Sequence, residues 1–185
     1  MFLSRPDIIK RINDGSVRLK PMVGADAIKQ VSIDLRLGHN FTVFCAPSHI
    51  SAIRVAPATL FGADLWRTEH RDSYFLKPGE FVLAQTLEHL TLPHDLAGLV
   101  EGRSSWARIG ISAHVTAPKL DPGFSGTITL EMTNHLNTTV ELVAEESPCQ
   151  LMLVPISTPL DANDVYGASQ DDIFQGQTKP LPDKK

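Results

Sequence analysis

The chain has 185 residues, 42% of them apolar and 21% charged, which fits one folded domain able to bury its own core and excludes a disordered chain. Its net charge of −4 excludes a general nucleic-acid binder, which needs a basic face for the phosphates, and no stretch approaches the length of a membrane span. Cys45 and Cys149 stand outside any metal-ligand spacing, so neither a disulfide scaffold nor a structural zinc is expected, and the cytoplasm is the expected compartment.

In chain order, Ser4 is placed to cap a helix whose third position is Asp7, with Leu3 and Ile8 as a hydrophobic staple. Ile8, Ile9 and Ile12 form its apolar stripe and Gly15 its stop. From Val31 to Leu37 the residues alternate apolar and polar, which predicts a half-buried strand. The segment from about Pro47 to Asp72 lacks periodicity and is expected to be a long excursion held down by Phe61, Leu65 and Trp66. Further strands are predicted for FTVF at 41, YFLKPGEFVLAQTLEHLTLP at 74, GTITLEMTN at 126, TTVELV at 138 and CQLMLVPI at 149. The expectation is a mainly β sandwich or jelly roll over 1–156. From Ser157 to Lys185 the composition turns to Pro, Asp, Gln, Gly and Lys, the signature of an extended tail.

Chemistry concentrates between Glu101 and Glu131. In TITLEMT, Ile128, Leu130 and Met132 share one face, so Thr127, Thr129 and Glu131 project from the other. Periodicity leaves two readings of Glu131: a solvent-facing strand glutamate, or a carboxylate recessed in a cleft and suited to general acid/base work. Arg103, Ser104, Ser105 and Arg108 cluster within one turn after Gly102 and can cradle an anion, although no Walker-type Lys-Ser/Thr follows. Asp121 begins an Asp-Pro-Gly turn and also suits a sugar hydroxyl. His114 reads as a core or interface histidine, and the histidine spacings lack the zinc-hydrolase and zinc-deaminase patterns.

Taken in order, the capped helix, SIDLRLG, LKPGEFVLAQTLE, EGRSSWARIG, HVTAPKLDPGFSG and TITLEMTN resemble the dCTP deaminase family of the dUTPase-like superfamily. The resemblance implies a distorted β-barrel or jelly roll with a short N-terminal helix, assembled as a homotrimer. It implies that Glu131 is the general acid/base for water attack on C4 of cytosine, with no metal in the chemical step. The segment Arg103, Ser104, Ser105, Trp106, Ala107 and Arg108 would hold phosphates, Ser105 and Arg108 also lying near the reacting centre, with Arg108 reaching in from a neighbouring subunit. The Ala117 carbonyl would position the water, Asp121 the 3′-hydroxyl, and the backbone at Thr129 and Leu130 the pyrimidine edge. Gln150, Tyr166 and Gln177 match phosphate-side or tail positions. Implied partners are dCTP and dUTP, with Mg²⁺ carried by the triphosphate and dTTP as an inhibitor known among relatives.

The tail departs from the family pattern. Ile173 stands where the phosphate-binding lysine is expected and Phe174 where a tyrosine is, while Ala168 and Ser169 occupy positions that often include arginine. Asp171 and Asp172 add negative charge, and Cys149 follows Pro148 at a position usually glycine. Three activities follow. The first is a dCTP deaminase releasing dUTP and ammonia and so supplying dUMP for thymidylate synthesis, favoured by HVTA at 114–117 because bifunctional relatives more often differ at Val115. The second is a bifunctional enzyme or dUTPase-like diphosphatase that yields dUMP. The third, a nucleotide-binding trimer without turnover, draws on Ile173 and is opposed by the intact Glu131, Arg108 and Ser105.

Overall fold

The computed structural model describes residues 1–45, 52 and 65–181. Its elements are α1 (Arg5–Asn13), β1 (Arg18–Lys20), β2 (Ile33–Leu35), β3 (Asn40–Phe44), β4 (Trp66–His70), β5 (Ser73–Leu76), β6 (Phe81–Thr91), β7 (Leu96–Gly102), α2 (Ser104–Arg108), β8 (Ile111–Ser112), β9 (Lys119–Leu120), β10 (Ser125–Asn134), β11 (Val140–Val143) and β12 (Cys149–Pro155). None of the described helices is long and apolar enough to cross a membrane.

The helix α1 lies where expected, with Ile8 buried and Ile9 and Ile12 half-buried against the core. Ser4 occupies the N-cap position, but its hydroxyl donates to the Asp7 carboxylate at 2.6 Å and leaves the backbone uncapped. Pro6 in the first turn lacks an N–H, which removes one donor that would need a cap. Gly15, at φ +76°, turns the chain out of the helix.

Among the described residues three sheets make up the body: β4-β3-β6-β10-β8 with β1 also on β6, β2-β12-β7-β9, and the pair β11-β5. The architecture is mainly β with a short N-terminal helix, as expected, although these sheets do not close into a continuous barrel. Their inward faces supply one core, in which Ile33, Leu35, Phe41, Leu90, Leu130, Met132 and Leu151 are fully buried.

Two expectations need correction. The Val31–Leu37 strand is not half-buried: Val31 is exposed, while Asp34 is only 6% exposed between Ile33 and Leu35. Asp34 is tolerated there because Arg103 Nε lies 3.3 Å and Lys29 Nζ 3.6 Å from its carboxylate. The excursion ends earlier than expected, because 66–70 form β4, paired along its length with β3; Phe61 lies outside the described residues.

The longest pairing, β6 with β10, carries one irregularity. Thr127 pairs with His89 and Thr129 with Gln85, so Thr86, Leu87 and Glu88 together stand opposite Ile128. The Ile128 N–H, deprived of a ladder carbonyl, donates to Thr86 Oγ1 at 2.9 Å, and that hydroxyl donates to the Glu88 carbonyl at 2.8 Å. The Glu88 carboxylate, fully buried, accepts from the backbone N–H of Arg36 at 2.8 Å and from its Nε at 2.7 Å. The bulge thus joins the large sheet to the segment following β2, since the Leu87 N–H also donates to the Arg36 carbonyl at 2.7 Å.

Beyond Ile156 the described tail has no helix or strand, yet it is tied to the body. The Thr127 N–H donates to the Gln177 carbonyl at 2.9 Å and the Gly176 N–H to the Ser125 carbonyl at 2.6 Å. The tail therefore runs along the edge of β10 that β6 leaves open.

Candidate active site

Past the bulge, β10 sends Leu130 and Met132 into the core and turns Thr129 and Glu131 outward, as the alternation predicts. The outward face is roofed by the tail, and the space between is a cleft of about 630 Å³. Glu131, Ala117, Asp121, Thr129, Tyr166 and Gln177 all line it. Glu131 is thus the recessed carboxylate of the two readings: half-buried, and accepting a hydrogen bond from the Val115 N–H at 3.1 Å. Leu130 has its side chain wholly in the core, so only its main chain is available for recognition.

At one end of the cleft the Asp121 carboxylate holds Lys119 Nζ at 2.7 Å, while the Phe124 ring packs near that of Tyr166. The Tyr166 hydroxyl accepts the Phe174 N–H at 3.3 Å, and burial pushes its pKa up from the ordinary value. Gln177 Nε2 donates to the Thr127 carbonyl at 2.7 Å and contacts Thr129 Oγ1 at 3.3 Å. The Thr129 hydroxyl in turn donates to the Pro180 carbonyl at 3.1 Å. The divergent tail residues Asp171, Ile173 and Phe174 also form part of the wall. Asp171, Asp121 and Glu131 make that wall acidic, with Lys119 already engaged.

The remaining expected site residues do not line this cleft within one chain. Arg103 lies in a separate cavity of about 400 Å³ with Asp34, Arg36 and Glu88, and its Nη1 donates to the Ser147 carbonyl at 3.1 Å. Ser104, Ser105, Ala107 and Arg108 are exposed on α2 and Trp106 is half-buried. Gln150 accepts the Ser32 hydroxyl at 2.9 Å on β12. His114 Nε2 sits 3.1 Å from the Glu101 carboxylate, away from the cleft lining. Among the described residues no group of three His, Cys, Asp or Glu side chains could hold a metal ion.

Sequence reasoning missed Leu83 and Trp66 as cleft residues. Leu83 is the cross-strand partner of Glu131, a pairing that only the register reveals. Trp66 had a visible signal, the run WRTEH, but it adjoins an aperiodic stretch and reads as part of it.

Residues 2–156 match the family model described as dCTP deaminase-like. A protein of Parafrankia sp. (strain EAN1pec) named "dCTP deaminase, dUMP-forming" is 40% identical over 190 residues, covering 100% of this chain and 90% of that protein. One of Rhodospirillum rubrum named "dCTP deaminase" is 34% identical over 191 residues, covering 100% and 96%. The crystal structure of 2′-deoxycytidine 5′-triphosphate deaminase from Agrobacterium tumefaciens aligns with a TM-score of 0.62 at 17% identity, over 82% of this chain and 46% of that one. That last likeness concerns the fold.

Proposed function

The chain belongs to the dCTP deaminase-like family and is an enzyme that deaminates dCTP; we propose that Glu131 is its general acid/base and that the first products are dUTP and ammonia. The observation that carries the assignment is the Glu131 carboxylate, lining a closed-over cleft and fixed there by the Val115 N–H at 3.1 Å. A carboxylate so placed can take a proton from water as the oxygen bonds to C4, then deliver it to the amine as the C4–N bond breaks. Orientation by a main-chain donor keeps it in reach of both positions without a large motion.

The other assignments rest on the family resemblance, and Ala117, Asp121, Thr129, Tyr166 and Gln177 support them by lining the cleft. The Ala117 carbonyl accepts a hydrogen bond from the attacking water, Asp121 one from the 3′-hydroxyl, and the main chain at Thr129 and Leu130 meets the pyrimidine edge. Tyr166 and Gln177 close the tail over the nucleotide, so residues 157–185 act as a covering tail for the 1–156 domain. Countercharge for the triphosphate comes from Arg103 and Arg108, with Ser104, Ser105, Trp106, Ala107 and Gln150 on the phosphate side and Arg108 reaching in from a neighbouring copy in a homotrimer. Mg²⁺ enters with the triphosphate as part of the substrate. The reading includes a cytoplasmic enzyme working on free nucleotides, with dTTP as a competing ligand.

A second reading, in which dUTP is cleaved further to dUMP and diphosphate, is favoured by the name of the Parafrankia relative at 40% identity. Incubation of the purified protein with dCTP and Mg²⁺, followed by anion-exchange separation of dCTP, dUTP and dUMP, decides between them. Accumulating dUTP supports the first, dUMP with diphosphate the second, and unchanged dCTP overturns both.

A further inference from the structure

Two polar side chains at the start of β2 are buried, Ser32 at 3% exposure and Asp34 at 6%, and neither lines the cleft that holds Glu131. Burying a hydroxyl and a carboxylate is costly unless each meets a partner. Both do, and the partners are the phosphate-side residues Gln150 and Arg103. The Ser32 hydroxyl donates to Gln150 Oε1 at 2.9 Å, and the Asp34 carboxylate lies 3.3 Å from Arg103 Nε. Gln150 is also the cross-strand partner of Asp34. On its other side β12 pairs with β7, which ends at Gly102 just before Arg103. One short run of β2 thus touches both residues.

Arg103 is held at three points. Its main-chain N–H donates to the Pro148 carbonyl at 2.9 Å, its Nη1 to the Ser147 carbonyl at 3.1 Å, and its Nε faces Asp34. Contacts on two different nitrogens fix the plane of a guanidinium, which a lysine ammonium cannot reproduce. Nη2 has no partner among the described residues, and the Arg103 side chain stays 35% exposed while that of Asp34 is 8% exposed. The anchored fork therefore keeps donors for an anion. Gln150 is arranged likewise, since its carbonyl oxygen takes the Ser32 proton and its amide NH2 remains to donate. We propose that Ser32 and Asp34 are positioning residues for the triphosphate, acting through Gln150 and Arg103. This rests on the phosphate-side reading of those two residues and deepens it by naming what holds them.

Charge compensation alone does not account for the arrangement, because Lys29 Nζ already stands 3.6 Å from the Asp34 carboxylate. An arginine fixed before the nucleotide arrives loses less rotamer freedom on binding it. The phosphates keep their charge while water attacks C4, so a contact to them is equally strong before and during the reaction. Its loss raises KM and leaves kcat nearly as it was.

The test measures kcat and KM for dCTP in Ser32→Ala, Asp34→Asn, Arg103→Ala, Arg103→Lys and the double variant Asp34→Asn/Arg103→Ala. Arg103→Ala should raise KM about tenfold, and Asp34→Asn about fivefold with kcat within about threefold of wild type. With Arg103 gone Asp34 has nothing to position, so the double variant should match Arg103→Ala within about twofold. Ser32→Ala should raise KM about threefold. Arg103→Lys keeps both the charge and the buried carboxylate and should still raise KM about fivefold, which reads the same point if Asp34→Asn fails to fold. A wild-type KM in Arg103→Ala overturns the phosphate reading of Arg103 and the positioning role with it. A raised KM in Arg103→Ala together with a wild-type KM in Arg103→Lys overturns the positioning role of Asp34 alone. So does an Asp34→Asn effect that persists undiminished in the double variant. A wild-type KM in Ser32→Ala strikes Ser32 from the pair.

Discussion

The main-chain N–H of Val115 donates to Glu131 Oε2 at 3.1 Å, tying the loop before β9 to the middle of β10. An amide at position 131 can still accept that bond through its oxygen, but it cannot exchange a proton with water or amine. Glu131→Gln should therefore keep the fold and dCTP binding while kcat falls by roughly 10³-fold. Circular dichroism, calorimetric titration with dCTP and an ammonia assay check the three parts. Wild-type turnover in this variant would remove Glu131 from the chemistry.

Thr86 holds the β6–β10 bulge by accepting the Ile128 N–H at 2.9 Å inside the core. Thr86→Val keeps the shape and deletes the acceptor, leaving a buried donor unsatisfied. The expected loss of stability is about 2 kcal/mol, seen as a lower midpoint in urea with an unchanged slope. Ile128 lies only three residues from Glu131, so kcat should drop as well. An unaltered midpoint would mean that Ile128 finds another partner.

These residues also show where sequence reasoning stops. The alternation in TITLEMT places Glu131 correctly because a strand has period two and its apolar partners are all core residues. The same rule fails at Asp34, which is buried because charged partners outside its strand, Lys29 just before it and Arg103 far along the chain, lie beside its carboxylate. Leu83 reads as an ordinary core leucine until the register sets it against Glu131. Composition suggests an anion cradle at Arg103–Arg108, but the separation of this cluster from Glu131 follows from the path of β7 and α2, which local pattern does not encode.

Gln177 fastens the tail through its side chain as well as its backbone, with Nε2 bonded to the Thr127 carbonyl at 2.7 Å. Its Oε1 is buried without a partner among the described residues, a spare acceptor beside the cleft. Gln177→Ala keeps the backbone pairing with Thr127 and loses the side-chain grip. The expected cost is about 1 kcal/mol, read as a KM for dCTP raised roughly fivefold with a smaller change in kcat. Hydrogen exchange at Gly176 and Gln177 should quicken in parallel. An unchanged KM would mean that the side chain is not part of the closure.

The two cysteines should behave oppositely. Cys45 is exposed, whereas Cys149 is wholly buried and its thiol pKa is pushed above the ordinary 9.0, first by burial and then by the negative charges of Glu88 and Asp34. At pH 8 an aromatic disulfide reagent should therefore titrate one thiol per chain rapidly, and the second only on unfolding. The raised pKa also fixes a pH dependence. Below the unfolded-state value of roughly 8.5 both states keep the proton and the contribution of Cys149 to stability is fully present. As pH rises above that value the unfolded chain ionises first, so the contribution declines toward the folded-state pKa. Cys149→Ala lacks this group, and the stability difference between wild type and variant should shrink from pH 8 to pH 10. A constant difference across that range, or fast labelling of both thiols in the native protein, would show that Cys149 reaches solvent.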